Sequence, residues 1–189
     1  MARWQPNASE RLVAAALDLF AEHGYENTTV IEIAERAGLT KSTFFRYFPD
    51  KREVLFGDGT LSGLLVEGIA AAADGTSPLD AVGHALDKIG SDVFTPDRRE
   101  FSSRRAAVIA ATPELREREA LKGLGLTAAM TDALTRRGVP NVTASVAAEL
   151  GALAMTIAYE RWSEPATNGE FTELARRALD DVRAASASC

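Results

Sequence analysis

The stretch Thr28-Thr-Val-Ile-Glu-Ile-Ala-Glu-Arg-Ala-Gly-Leu-Thr-Lys-Ser-Thr-Phe-Phe-Arg-Tyr-Phe-Pro-Asp-Lys51 decides how this chain is read. Thr29 offers a side-chain oxygen to a helix start, and Glu32 three residues later completes a capping box. Val30, Ile33, Ala34 and Ala37 then recur at helical spacing until Gly38 stops the helix. Thr40 opens a second, very short helix that ends at Pro49. Within it Phe44 and Phe48 are four apart and share the face that turns to a core. At about 100° per residue, Ser42, Thr43 and Arg46 fall on the opposite face, with Phe45 and Tyr47 on its flanks. Helix, glycine turn and short helix is the helix-turn-helix plan, in which the second helix enters the major groove of DNA.

Working outward, a first helix is expected from about Asn7–Ser9 to His23, with Leu12, Ala15, Ala16, Leu19 and Phe20 as its apolar stripe and Gly24 as its stop. Beyond the quoted stretch, Asp50 and Glu53 suggest another capping box and a long fourth helix from Lys51 to Ala73 that links the two halves of the chain. Ser77-Pro78, Thr95-Pro96 and Thr112-Pro113 each read as an N-cap followed by proline at the first helical position. They predict helices over 78–93, 96–110 and 113–137, the last closed by Gly138 and Pro140. Two more follow, near Thr143–Trp162 and Glu170–Ala185, separated by a turn with Pro165 and Gly169. The expected fold is all-α with about nine helices. No strand alternation, internal repeat or low-complexity linker interrupts the pattern.

Length and composition set the outer limits. A chain of 189 residues suits one domain or two small ones. The single cysteine, Cys189, excludes an intrachain disulfide, which fits a reducing cytoplasm. The opening Met-Ala-Arg-Trp-Gln-Pro lacks the apolar stretch of a signal peptide. No uninterrupted apolar run approaches a membrane span, since Glu149 breaks even the alanine-rich stretch 144–158. The net charge of −6 argues against a nucleic-acid partner, but its distribution does not. Residues 36–52 hold five cations, Arg36, Lys41, Arg46, Lys51 and Arg52, against Asp50 alone, while the acidic excess lies beyond residue 52.

The exposed face of the short helix has the chemistry a DNA groove requires. Arginine binds guanine O6 and N7 in a fork, hydroxyls meet phosphates or base edges, and aromatic or methyl groups touch thymine methyls. Lys41 and Lys51, each at a helix start, suit phosphate contacts that set register. The helix starts at Val30 and Lys51 would add partial positive charge.

The 28–51 stretch closely resembles the DNA-binding signature of the TetR (tetracycline repressor) family, and Ala16-Leu-Asp-Leu-Phe-Ala-Glu-His-Gly-Tyr25 resembles that family's first helix. The resemblance covers about residues 8–68. It implies that Thr29, Thr40, Lys41, Ser42, Thr43, Phe45, Arg46, Tyr47 and Lys51 stand at operator-contacting positions. Phe45 departs from the usual tyrosine and lacks its hydroxyl, while Ser42 replaces a common glycine or alanine. The resemblance also implies that 69–189 form a ligand-binding and dimerisation domain, making the protein a repressor released from a palindromic operator. Double-stranded operator DNA, a small effector and a second copy of the chain are the implied partners, with no cofactor, metal or membrane.

For the dimer, the resemblance points to the last two helices. Val146, Leu150, Leu153 and Ile157 line one face of the penultimate helix beside Ala147, Gly151, Ala154 and Ala158. Phe171, Leu174, Leu179 and Val182 on the last helix would complete a four-helix interface. The segment Phe101 to Glu119 further resembles a TetR subgroup regarded as binding acyl-coenzyme-A-like ligands. Phe101, Arg104, Arg105, Ile109, Met130, Met155, Tyr159 and Trp162 are the pocket candidates, with packing or surface ion pairs as the competing roles for each.

Nothing in the sequence suggests an enzyme. His23 and His84 lack partners at metal-ligand spacing, and there is no G-x-S-x-G or H-E-x-x-H. Gly57, Gly59 and Gly63 miss the dinucleotide spacing and lie in a helical stretch. A terminal Cys189 has no electropositive neighbourhood to activate it. The remaining alternative is a helical ligand- or partner-binding protein whose helix-turn-helix no longer engages DNA.

Overall fold

Nine α-helices and two short 3-10 turns make up the described residues, with no strand among them. The computed structural model describes residues 7–57, 59–164, 167 and 169–188. Met1 to Pro6, Asp58, Pro165 and Cys189, all used in the sequence reading, lie outside that set.

The helices are α1 (Ala8–His23), α2 (Val30–Arg36), α3 (Lys41–Tyr47), α4 (Thr60–Ala71), α5 (Pro78–Asp92), α6 (Arg99–Ala111), α7 (Pro113–Arg136), α8 (Asn141–Ser163) and α9 (Phe171–Ser186). The 3-10 turns are Arg52–Leu55 and Pro96–Arg98. The chain divides into two compact units, one of residues up to Gly57 with Arg104–Glu119, the other of Gly59–Ser103 with Ala120 onward. The division therefore falls inside α6 and α7.

In the first unit the capping box expected of Thr29 and Glu32 forms at α2, and Asn7 and Glu10 make a further one at α1. The box expected of Asp50 and Glu53 forms by half: Asp50 accepts from the Glu53 amide, while the Glu53 carboxylate is engaged by Arg118. Gly24 ends α1 at φ 82°, a conformation that costs glycine nothing and an L-residue with a side chain a good deal. Leu12, Ala16, Leu19 and Phe20 of α1 are buried, together with Ile33 and Ala34 of α2, Phe44, Phe48, Val54 and Leu55. Phe44 is fully buried, which stabilises by roughly 1.5–3 kcal/mol relative to exposure.

The continuous fourth helix expected from Lys51 to Ala73 does not form. A 3-10 turn ends at Leu55, and α4 starts only at Thr60. Gly57 and Gly59 are at φ 71° and 87°, left-handed values that an α-helix cannot contain. The apolar periodicity on either side concealed this break.

The second unit packs α5 against α4, α8 and α9, and α8 against α9. Its core includes Leu65, Ile69, Val82, Leu86, Ile89, Met130, Leu134, Trp162 and Phe171. Glycines set the close approaches. A Cβ on Gly68 would stand 2.5 Å from the Cα of Ala85, and one on Gly151 would collide with Val82. Ser77 caps α5 as expected, accepting from the Asp80 amide, whereas Thr95 makes no side-chain cap bond.

Helix α8 carries apolar residues on its exposed side as well as on its buried one. Ala144, Ala147, Ala148, Gly151, Ala154 and Ala158 are buried, while Val142, Val146 and Leu153 are 77%, 54% and 51% exposed. This is why the 23-residue helix has the length of a membrane-crossing one and a stretch of 18 residues with a mean hydropathy of 1.4, despite Glu149. Helix α9 differs from expectation. Phe171, Leu174, Leu179 and Val182 are buried in the core of their own chain, leaving Glu173, Arg176, Arg177, Asp180 and Asp181 on the outside.

Candidate nucleic-acid interface

Helix α3 is held by one face and free on the other. Thr40 caps it, its Oγ1 accepting from the Thr43 amide at 3.2 Å and lying 3.0 Å from the Thr43 hydroxyl. Phe44 and Phe48 anchor the inner face, their ring centroids 5.6 Å apart. Lys41, Ser42, Phe45, Arg46 and Tyr47 are exposed and Thr43 is half-buried. Phe45 and Tyr47 are 47% and 43% exposed, unusual for aromatic side chains with an intact core beneath them.

The five-cation cluster resolves into separate roles. Arg36 forks onto Glu22, and this pairing holds the Glu22 carboxyl below the usual carboxylate range. Arg52 lies 3.9 Å from carboxylate oxygens of both Asp50 and Glu53. Lys51 turns inward: its Nζ donates to the carbonyls of Tyr25 (2.7 Å) and Thr28 (2.9 Å) and sits 4.0 Å from the Tyr25 ring centroid. Two of its three donors are thereby occupied. Among the described residues only Lys41 and Arg46 of the five are committed to neither a carboxylate nor a carbonyl. Each instead rests beside an exposed aromatic, Lys41 at 6.0 Å from the Phe45 ring and Arg46 at 5.2 Å from that of Tyr47.

Thr29, the remaining predicted contact, is exposed, but its hydroxyl is engaged in the capping box with Glu32. Those hydrogen bonds lower the pKa of Glu32. Arg11 supports the turn before α3 by donating to the carbonyls of Ala37 and Gly38. Ile31, 48% exposed on α2, went unnoticed in the sequence. Its signal was there, since it stands off the Val30, Ile33, Ala34, Ala37 stripe.

Over residues 12–57 the chain matches the sequence profile described as bacterial regulatory proteins, tetR family. Residues 12–57 thus carry the DNA-binding region of the TetR family. One relative is a Mycobacterium tuberculosis protein named as a mycofactocin biosynthesis transcriptional regulator, MftR. It is 33% identical over 101 residues, covering 53% of this chain and 50% of MftR. The chain spans half or less of the length of the curated relatives it matches, which are named as transcriptional regulators. Among solved structures, a transcriptional regulator from Rhodococcus sp. Rha1 superposes with a TM-score of 0.52 at 27% identity over 94% of both chains. Thermus thermophilus FadR, a TetR-family repressor solved with lauroyl-CoA, gives 0.53 at 23% identity over 93% of both chains, an agreement of fold.

The eight predicted ligand residues divide between the two units. Arg104, Arg105 and Ile109 belong to the first unit. Arg104 pairs there with Asp18. Arg105 donates to the Leu55 carbonyl at 2.7 Å and forks onto Glu119, with its side chain only 12% exposed. Beside it Arg118 forks onto Glu53, and both guanidiniums lie about 5 Å from the Phe56 ring, at 5.2 and 5.0 Å. This network, formed over 50–65 residues of sequence separation, was invisible to local pattern reading.

Phe101, Met130, Met155, Tyr159 and Trp162 belong to the second unit. Met130 is fully buried, and Met155 and Phe101 are partly buried. Tyr159 and Trp162 surround Phe94 with centroids 5.5 Å from its ring, and Phe171 stacks on Phe94 at 4.3 Å. The Tyr159 hydroxyl donates to the Ser102 carbonyl at 3.2 Å. Arg99 lies over the Trp162 ring and donates to the carbonyls of Thr167 and Gly169. The Trp162 Nε1, fully buried, has no hydrogen-bond partner among the described residues.

Proposed function

We propose that this protein is a cytoplasmic, dimeric transcriptional repressor of the TetR family that binds a palindromic operator through α3 and leaves it when a small, largely apolar ligand binds. The observation carrying this reading is the outer face of α3. Two uncommitted cations, Lys41 and Arg46, stand among Ser42, Thr43, Phe45 and Tyr47 on a helix whose other face is locked by Phe44 and Phe48. Arg46 takes the guanine-reading role, Lys41 meets phosphate, and Phe45 and Tyr47 offer apolar surface to thymine methyls. The DNA-binding role is assigned to residues 8–68 and the ligand and dimer roles to 69–189.

The dimer is assigned chiefly to the outer stripe of α8, where Val142, Val146, Leu150, Leu153 and Ile157 succeed one another at three- and four-residue spacing. A second copy related by a two-fold axis covers such a stripe with itself. The ligand role rests on the aromatic group of the second unit, where the unpartnered Trp162 Nε1 can donate to an acceptor on a ligand head. An apolar chain with a polar, acyl-CoA-like head agrees with the lauroyl-CoA in FadR.

Selection of duplexes from a random pool by the full chain tests the reading. The selected sequence is expected to be a near-palindrome bound far more tightly than random duplex. Its log affinity should fall with log salt by about 0.9 per phosphate neutralised. Equal affinity for selected and random duplexes would remove the regulator assignment.

A further inference from the structure

Lys41 and Arg46, the two cations of α3, rest on aromatic rings for different reasons. Lys41 and Phe45 are four residues apart, so helical spacing alone brings them to one flank. Arg46 and Tyr47 are adjacent, and neighbours on a helix point about 100° apart. Yet the guanidinium carbon of Arg46 stands 5.2 Å from the Tyr47 ring centroid, nearer than the 6.0 Å between Lys41 and Phe45. The arginine stem therefore leans off the centre of the outer face to reach the ring. Tyr47 is the last residue of α3, and a helix C-terminus also favours a cation beside it.

What lies against a guanidinium decides what it can still do. Arg36, Arg105 and Arg118 spend N–H groups in forks on Glu22, Glu119 and Glu53. An aromatic ring takes the flat face of the cation and leaves the N–H groups in its plane free. Stacking on Tyr47 and a fork onto guanine O6 and N7 are thus compatible in one conformation. A flexible arginine loses rotamer freedom on entering a groove, and one already leaning on a ring that stays with it loses less.

We infer that Tyr47 is the positioning residue for Arg46: its ring, not its hydroxyl, holds the guanidinium with its N–H edge turned to a guanine. The inference rests on the operator reading and adds to it which side chain sets the aim of the base-reading arginine.

The test uses the full chain and its selected duplex, with 7-deazaguanine in both half-sites at the guanine whose preference Arg46→Ala relaxes. That base pairs normally and lacks only the N7 acceptor. Wild-type protein is expected to lose about tenfold on the substituted duplex, and Tyr47→Phe, which keeps the ring, the same. In Tyr47→Leu this penalty should shrink by about two- to fivefold, the size of an exposed cation–aromatic contact. Affinity of Tyr47→Leu for the unmodified duplex should fall by a similar factor, but not in an Arg46→Ala background, where no guanidinium remains to be held. Without DNA, the Arg46 side-chain proton resonances should lie upfield under the ring in wild type and Tyr47→Phe, and shift back in Tyr47→Leu. A duplex-selective protein whose 7-deazaguanine penalty is unchanged by Tyr47→Leu overturns the inference and leaves the operator reading standing. So does an equal loss from Tyr47→Leu with and without Arg46, or an Arg46→Ala variant that relaxes preference at no guanine. Loss of the guanine preference in Tyr47→Phe gives the role to the hydroxyl and overturns it too. Equal affinity of the wild-type chain for selected and random duplexes removes the operator reading, and this inference with it.

Discussion

Replacing Lys51 by methionine separates two roles that the sequence alone ran together. Methionine keeps much of the apolar stem but removes all three donors. In the structure the ammonium bonds two carbonyls, at 2.7 and 2.9 Å, and lies 4.0 Å from the Tyr25 ring centroid. A hydrogen bond to a charged group contributes roughly 1.5–3 kcal/mol and a cation–aromatic contact about 0.5–1. The side chain is only half-buried, so water can replace part of each, and about 2 kcal/mol is expected to be lost. For a chain of this size that lowers the melting temperature by roughly 4–8 °C. Amide exchange should locate the loss in residues 24–29, where the two carbonyls are. A phosphate-binding lysine behaves differently. Its removal leaves the melting temperature nearly unchanged and reduces the salt dependence of duplex binding by about one charge. If Lys51→Met gave that second pattern, Lys51 would be a DNA contact and not a strut beneath the α1–α2 loop.

Four further outcomes follow from the same reasoning. Arg46→Ala should weaken binding to a selected duplex by about 1–3 kcal/mol and relax preference at one base pair, and equal loss on random DNA would exclude base reading by Arg46. Arg105→Ala, which strands Glu119 and the Leu55 carbonyl, should cost about 2–4 kcal/mol in denaturant unfolding, whereas Arg104→Ala, breaking a pair more than 40% exposed on both sides, should cost under about 1. Equal effects would mean that burial does not separate these two arginines. Gly68→Ala should destabilise the second unit by about 1–3 kcal/mol, because the added methyl meets the Ala85 backbone, and calorimetry showing no change would refute the close approach of α4 to α5. Leu153→Glu, on the outer side of α8, should shift sedimentation from dimer to monomer without loss of helix content; an unshifted dimer would move the interface off this stripe.

Much of the fold was legible because its determinants are local. The Thr29–Glu32 capping box, the Ser77-Pro78 helix start and the glycine stops depend on residues within four positions of one another, and eight of the nine described helices appear near their expected places, the fourth being shorter than expected. The recognition face was legible for the same reason, since the spacing of Phe44 and Phe48 alone decides which way Ser42 and Arg46 turn. What misled was periodicity without backbone. An apolar pattern on both sides of Gly57 and Gly59 reads as one helix until their φ values show that it is not.

The sequence by itself determined an all-helical chain, a helix-turn-helix near its start, and which side of the short third helix meets solvent. Only tertiary structure decided which polar groups remain free to act. Lys51 and Lys41 look alike as basic residues in a sequence, as do Arg105 and Arg46. The carbonyls and carboxylates that engage Lys51 and Arg105 come from 14 to 50 residues away, and chain folding alone brings them within hydrogen-bond reach. The apolar face of α9 was assigned by folding too, to the core of its own chain, whereas α8 keeps Val142, Val146 and Leu153 uncovered.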